Sequence, residues 1–180
     1  MAGLADAIRE KGLAKTQITD IVRHARASRT TFYRSFPDKE SCFFALAERL
    51  NEATMIDVAA AVDPDATWET QIDQAIDAYL RILSEDPEMV VTFVSDLPLL
   101  GEQAAQLHRA GVERYAELVV QLASSPSMKA AGVRVSMEQA VLLMAGIDGL
   151  VVRSVARGEP VTDLAPVAKD ALKRVFAPTR

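Results

Sequence analysis

Residues 16–39 read TQITDIVRHARASRTTFYRSFPDK, and two short helices joined by a tight turn account for the pattern. In the first half Ile18, Ile21, Val22 and Ala25 recur at i, i+3, i+4 and i+7, one face of a helix. Thr16 stands just before that face, where a hydroxyl can cap the orphan N–H groups. In the second half Ser28 is placed to cap, and Phe32 and Phe36 lie one turn apart. With both rings buried, the helical wheel turns Thr30 and Arg34 outward and sets Thr31 and Tyr33 on the two edges. Pro37 stops this helix, because it lacks an N–H and disfavours helical geometry at Phe36. Asp38 can cap the helix that follows, with Lys39 in its first turn. Such an outward set suits a reader of the DNA major groove. Short polar side chains approach base edges, arginine forks onto guanine or phosphate, and a tyrosine hydroxyl reaches a phosphate.

The segment SRTTFYRSFPDKE also resembles the recognition-helix signature of TetR/AcrR-type helix-turn-helix regulators, roughly S-x-G-T-[FY]-Y-x-H-F-x-[SD]-K-E. The matching positions are Ser28, Thr31, Phe32, Tyr33, Phe36, Asp38, Lys39 and Glu40. The preceding TQITDIV resembles the family's T-[TS]-[VI]-x-x-I-A. Three departures stand out. Ala25-Arg26-Ala27-Ser28 replaces the usual A-G-V-S, so an arginine occupies the left-handed turn position that glycine suits. Thr30 replaces a glycine and Ser35 a histidine, which bears on base preference rather than on fold. From residues and resemblance together, the expected DNA contacts are Thr16, Arg26, Ser28, Arg29, Thr30, Thr31, Tyr33, Arg34 and Lys39. The family's first helix is usually longer and preceded by a basic arm. The expectation here is either a start further upstream or a head without those phosphate contacts.

A net charge of −5 over 180 residues looks wrong for a DNA-binding protein until it is divided. Residues 1–50 carry a net +3 and residues 51–180 a net −8. Residues 15–39 hold six basic side chains (Lys15, Arg23, Arg26, Arg29, Arg34, Lys39) against Asp20 and Asp38. Local concentration of charge, not the total, decides what a surface attracts. One cysteine, Cys42, excludes a disulfide framework and a cysteine-based zinc site. Abundant alanine and aliphatic residues with few Gly and Pro favour helices over sheets. No uninterrupted apolar run is long enough to span a bilayer and no signal peptide opens the chain, so a soluble cytoplasmic protein is expected.

Along the chain, helices are expected at 2–11, at 39 to about 61 with Phe43, Leu46, Ala47 and Leu50 inward, at 67–84, 88–95, 102–123, 137–157 and about 163–176. Ser124–Ser127 is expected to be a loop, and 128–135 irregular or a short turn. Asp63-Pro64-Asp65 is the best break in the pattern. With the two helices of the opening stretch, the expectation is an all-α chain of about nine helices. A three-helix helix-turn-helix head spans 1–50, and a helical ligand-binding and dimerisation body spans 51–180. The resemblance is specific over 12–50 and architectural beyond.

The 137–157 segment is apolar almost all round, so both of its sides must be covered. One side faces its own core; the other calls for a partner, with Gly146 and Gly149 allowing close approach. In the resembling family the last two long helices pair across a two-fold axis. A homodimer through 137–157 and 163–176, reading a palindromic operator on double-stranded DNA, is the expectation. Family members usually hold a small-molecule effector within the body. Candidate lining residues here are Tyr79, Met89, Phe93, His108, Tyr115, Met144 and Asp148, all of which also fit as plain core, interface or surface groups. An apolar lining would imply a largely apolar effector that releases a repressor from DNA. Asp148 in particular calls for a partner, whether Arg153, Arg114, a ligand or the dimer interface. Catalytic and metal constellations are not evident, and no cofactor is implied. The alternative is an all-helical ligand-binding or protein-interaction module with a weakened DNA head.

Overall fold

Ten α-helices and no strand form among the residues 1–177 that the computed structural model describes. They are α1 Ala2–Lys11, α2 Ile18–His24, α3 Arg29–Ser35, α4 Lys39–Ala61, α5 Trp68–Glu85, α6 Pro87–Val91, α7 Glu102–Leu122, α8 Pro126–Ala130, α9 Met137–Arg157 and α10 Ala165–Phe176. The all-α expectation holds. The last three residues of the expected body, 178–180, lie outside the described residues.

Capping explains most boundaries. Ser28, Thr67 and Ser136 each accept a hydrogen bond from the backbone N–H three residues on, and Gln139 answers Ser136 in a reciprocal box. Gly158 closes α9 at φ 67, in the left-handed region that glycine tolerates. Asp38 accepts from the Ser41 N–H at 2.7 Å and starts α4. Two boundaries differ from expectation. The cap of α2 is Gln17, paired reciprocally with Asp20, and not Thr16. Pro126–Ala130, expected as the end of a loop followed by an irregular stretch or short turn, form α8, because Pro126 falls in the first turn, where its missing N–H costs nothing, and Ser125 caps it.

The expected helix 88–95 is also more irregular. After α6 the backbone widens into a π-turn, Thr92–Asp96, and then tightens into a 3-10 turn, Leu97–Leu100. Pro98 supplies the reason. It has no N–H to donate, and in a continuous α-helix its ring would crowd the Val94 carbonyl. The Leu97 N–H instead reaches back five residues to the Thr92 carbonyl.

The chain divides into two compact units, each with its own core. The first comprises residues 1–52 and 88–108. Leu4, Ile8, Leu13, Ile21, Phe32, Phe43 and Leu46 bury together there with Met89, Leu97 and Ala104 from the returning segment. Phe43 is fully buried and stacks on Phe93 with ring centroids 5.2 Å apart. Leu50, expected inward, lies at the unit's margin and is 36 % exposed. Gly3 sits where α1 meets α2: a Cβ there would lie 2.5 Å from the Ile21 carbonyl oxygen and 2.6 Å from the Ala25 nitrogen.

The second unit comprises residues 53–87 and those from 109 on. Its core holds Ile72, Ile76, Leu80, Met144, Ile147, Val151, Leu172 and Phe176. Lys169 pairs with Asp77 and Lys173 with Asp73, both at 2.6 Å, tying α10 to α5. The fully buried Gln71 amide donates to the Pro64 and Ala66 carbonyls and to Ser127, fastening the 63–67 turn to α8. By length and mean hydropathy, 1.5, the 21-residue α9 would suffice to cross a membrane. Counting uninterrupted apolar runs did not register it, because Gln139, Asp148 and Arg153 break the run. Its buried stripe (Ala140, Met144, Ile147, Val151) and opposite exposed side are those of a helix laid against a globular core.

Candidate nucleic-acid interface

The turn between α2 and α3 sets the angle of the outward helix. The Arg26 N–H donates to the Arg23 carbonyl and the Ala27 N–H to the Val22 carbonyl, a Schellman arrangement. Such a turn needs a left-handed residue, and Arg26 provides it at φ 50, the one non-glycine with positive φ among the described residues. A left-handed L-residue costs about 1–2 kcal/mol. Arg26→Gly should therefore stabilise the first unit by roughly 1 kcal/mol, after allowing for glycine's freer unfolded chain. A thermal melt of this variant is expected a few degrees above the parent; a lower melting point would contradict the strain at this turn.

Phe32 and Phe36 anchor α3 from behind. Phe32 is 6 % exposed, Phe36 packs against the same core, and their centroids are 5.8 Å apart. The Tyr33 ring stands edge-on to Phe32 and is 55 % exposed. Arg29, Thr30, Thr31 and Arg34 are exposed as well. Thr31 is steadied by Ser28, whose oxygen lies 3.0 Å from both the Thr31 hydroxyl and its backbone nitrogen. The structure thus places Arg26, Ser28, Arg29, Thr30, Thr31, Tyr33 and Arg34 together on an exposed surface of the first unit.

Thr16 and Lys39 are placed differently. Thr16 is 2 % exposed, and its hydroxyl lies within hydrogen-bonding distance of the Gly12 carbonyl at 2.8 Å and the Ala7 carbonyl at 3.2 Å. It holds α1 to the start of α2 from inside. The half-buried Lys39 ammonium donates to the Leu13 carbonyl at 3.2 Å.

Charge is sorted between the helices. Glu10 of α1 binds both Arg23 and His24 of α2, and Lys11 binds Asp20 at 2.6 Å. Arg26, Arg29 and Arg34 enter no ion pair among the described residues. Three guanidinium charges are therefore left to an outside anion, while those of α2 serve the α1–α2 junction. Sequence reading missed these pairs, since Glu10 and Arg23 are brought together only by folding.

The same pairs set an acid limit. Hydrogen bonds from Arg23 and then His24 hold the Glu10 carboxyl below its ordinary range, and Lys11 followed by the Gln17 N–H does the same for Asp20. Carboxyls depressed in the folded state contribute stability above their unfolded values, and lose it as pH falls through the folded ones. The first unit should melt at progressively lower temperature below about pH 4, with a shallower slope in Asp20→Asn. An identical slope in that variant would contradict the assignment.

The candidate effector residues separate between the units. Met89, Phe93 and His108 belong to the first, where Met89 is 3 % exposed and Phe93 lies on Phe43. Tyr79, Tyr115, Met144 and Asp148 belong to the second. There the Tyr79 hydroxyl donates to Asp148 Oδ1 at 3.2 Å, and the Tyr79 and Tyr115 rings are 5.6 Å apart. Burial, and next the Asp148 charge, push the Tyr79 phenol far up. Burial pushes Tyr115 up to about 12, against a hydrogen bond from Thr54 that lowers it. A separate groove of about 360 Å³ is lined by Ser84, Pro87, Val155, Gly158, Glu159, Pro160, Val161 and Thr162, none of them a sequence candidate. Among the described residues, no group of three or more His, Cys, Asp or Glu could hold a metal ion.

An outward helix backed by two phenylalanines and set by a Schellman turn defines a helix-turn-helix domain, carried on an all-helical chain. Residues 2–46 match the family model described as bacterial regulatory proteins, tetR family. The family match is thus confined to the residues that build the helix-turn-helix, about a quarter of the chain. An HTH-type transcriptional regulator of Bacillus subtilis (strain 168), YvdT, is 32 % identical over 94 residues, covering 52 % of this chain and 48 % of the relative. The match thus spans about half the length of that curated relative. Among solved structures, the transcriptional regulator FadR from Bacillus subtilis in complex with stearoyl-CoA aligns over 97 % of this chain and 96 % of its own. Its TM-score is 0.82 at 15 % identity. The fatty acid degradation regulator FadR from Bacillus halodurans aligns over 95 % and 94 %, with a TM-score of 0.75 at 17 % identity. At such identities the likeness is one of fold.

Proposed function

We propose that this protein is a homodimeric transcriptional regulator that binds a palindromic operator through α3 and is released by a small, largely apolar effector held in the second unit. The exposed face of α3 carries the reading: Thr30, Tyr33 and Arg34 outward, Arg26 and Arg29 beside them, and, among the described residues, no carboxylate neutralising the three arginines. Thr16 and Lys39 act from within, one holding α1 to α2 and the other tethering the Leu13 carbonyl. The dimer is supported by α9 and α10. Leu142 is 72 % exposed and Val167 53 %, and nothing lies within 4 Å of where a Cβ would stand at Gly146 or Gly149. A second copy of this face would cover it and set two heads on two half-sites. An effector in the body is supported by the apolar second core and by the stearoyl-CoA bound to the FadR neighbour.

Affinity for duplex DNA containing its site should fall linearly in log–log terms with salt, as phosphate neutralisation requires. Arg34→Ala should weaken binding about 10- to 100-fold if the arginine forks onto a base, and should relax preference at one position. Binding that ignores salt and survives Arg34→Ala would favour the helical-module reading.

A further inference from the structure

We propose that Thr30 reads one thymine in each half-site, by contact of its side-chain methyl with the thymine C5-methyl group in the major groove. The inference rests on the DNA-reading function above and narrows it from a surface to a base.

The back of α3 is fixed, and with it the direction of its front. Phe32 is buried and Phe36 packs on the same core, so the opposite side of the helix faces out. Thr30 and Arg34 lie four residues apart, about 40° from each other round the helix, on the middle of that side. Tyr33 and Ser35 each lie about 100° from Arg34 and flank it. The hydroxyls near the start of α3 divide by their bonding. Ser28 Oγ lies 3.0 Å from both the Thr31 hydroxyl and its backbone nitrogen, so these two side chains are committed to each other. Thr30 is exposed and, among the described residues, has no hydrogen-bond partner. It does not bond back to a carbonyl of the preceding turn, as the Thr92 hydroxyl does to Glu88 at 3.0 Å. Where the resembling recognition signature carries a glycine, this chain therefore presents an uncommitted threonine beside its most outward arginine.

A threonine offers two groups on one Cβ, and β-branching leaves them few arrangements. The hydroxyl both donates and accepts, so any base edge in the major groove satisfies it, and alone it carries little sequence information. The methyl is selective, because thymine alone of the four bases displays a methyl group there. Thr30 is also short. It reaches only a base lying directly beneath the backbone of α3, so it answers to one position of the site. Arg34 is long and drawn to guanine O6 and N7 or to a phosphate. The two side chains ask for different groups on the DNA, and the contribution of Thr30 can be read apart from that of its neighbour.

The test is selection from a random duplex pool by the full-length wild type, Thr30→Val and Thr30→Ser. Each thymine of the selected half-site is then replaced by deoxyuridine, which removes only the methyl. Thr30→Val keeps a methyl and loses the hydroxyl; Thr30→Ser does the reverse. Wild type and Thr30→Val should select the same palindrome, with thymine at one fixed place in each half-site. Thr30→Ser should select that palindrome with the place left open. Deoxyuridine there should weaken wild-type binding about fourfold per half-site, the size expected for one methyl returned to water, and leave Thr30→Ser unaffected. A palindrome in which Thr30→Ser keeps every thymine, or in which no thymine responds to deoxyuridine, would overturn the role of Thr30 while leaving the DNA-reading function in place. Thymine lost in Thr30→Val but kept in Thr30→Ser would assign the contact to the hydroxyl and overturn the methyl contact. A folded wild type that selects no sequence would overturn both readings. The deoxyuridine series needs only the wild type, so it stands as a test even where a variant fails to fold.

Discussion

Phe43→Ala is expected to destabilise the first unit by about 4 kcal/mol, the cost typical of removing a fully buried phenylalanine. The ring is 0 % exposed and stacks on Phe93 at 5.2 Å, joining α4 to the segment that returns at 88–108. Against a domain stability of about 5–15 kcal/mol, such a loss leaves little margin. The signature should be shared: amides in 1–52 and in 88–108 should lose hydrogen-exchange protection together, because Met89, Leu97 and Ala104 sit in the same core as Leu4 and Phe32. Protection retained in 88–108 while 1–52 opens would show that the returning segment does not belong to this unit.

Gly3→Ala should cost about 3 kcal/mol, at the upper end for a single added methyl. A Cβ at this position would lie 2.5 Å from the Ile21 carbonyl oxygen and 2.6 Å from the Ala25 nitrogen. Both are backbone atoms of the α2 region, so no side-chain rotation relieves the clash; α1 and α2 must separate. That separation also pulls Glu10 from Arg23 and Lys11 from Asp20. Since α2 and its turn orient α3, DNA affinity should fall along with stability, although Gly3 lies outside the exposed set. A urea titration of the variant should show the lower midpoint with an unchanged slope. A midpoint within experimental error of the parent would contradict the close approach of the two helices.

What could be read beforehand, and what could not, follows from the range of the interactions involved. Helix faces and caps are local, so Ser28, Asp38, Thr67, Ser136 and Gly158 were legible as boundaries. The left-handed Arg26 was legible from the resemblance, since it stands where the family's turn usually carries a glycine. Thr16 was misjudged as a cap because its spacing suits a cap equally well; its hydroxyl instead meets the Ala7 carbonyl, nine residues away. Gly3 carried only a weak signal, a glycine inside a helical pattern, and its role depends on a backbone 18 residues on. The π-turn at 92–96 was written in Pro98, but a proline three residues past an apolar run reads first as a stop. The candidate effector residues were drawn from the helices that hold the pocket in the resembling family, and a resemblance of layout cannot tell one core from another. The fold places Met89 and Phe93 with Phe43, and Tyr79 with Asp148.

The central claim is that the exposed face of α3 reads DNA sequence as one half of a symmetric pair. Selection of bound sequences from a random duplex pool, at moderate salt, tests it most directly. Enrichment of a palindrome, its half-sites one helical turn or a multiple apart, is the result predicted, lost in Arg34→Ala and Tyr33→Ala. A folded, dimeric protein that enriches no sequence would contradict it and leave the all-helical binding module as the reading.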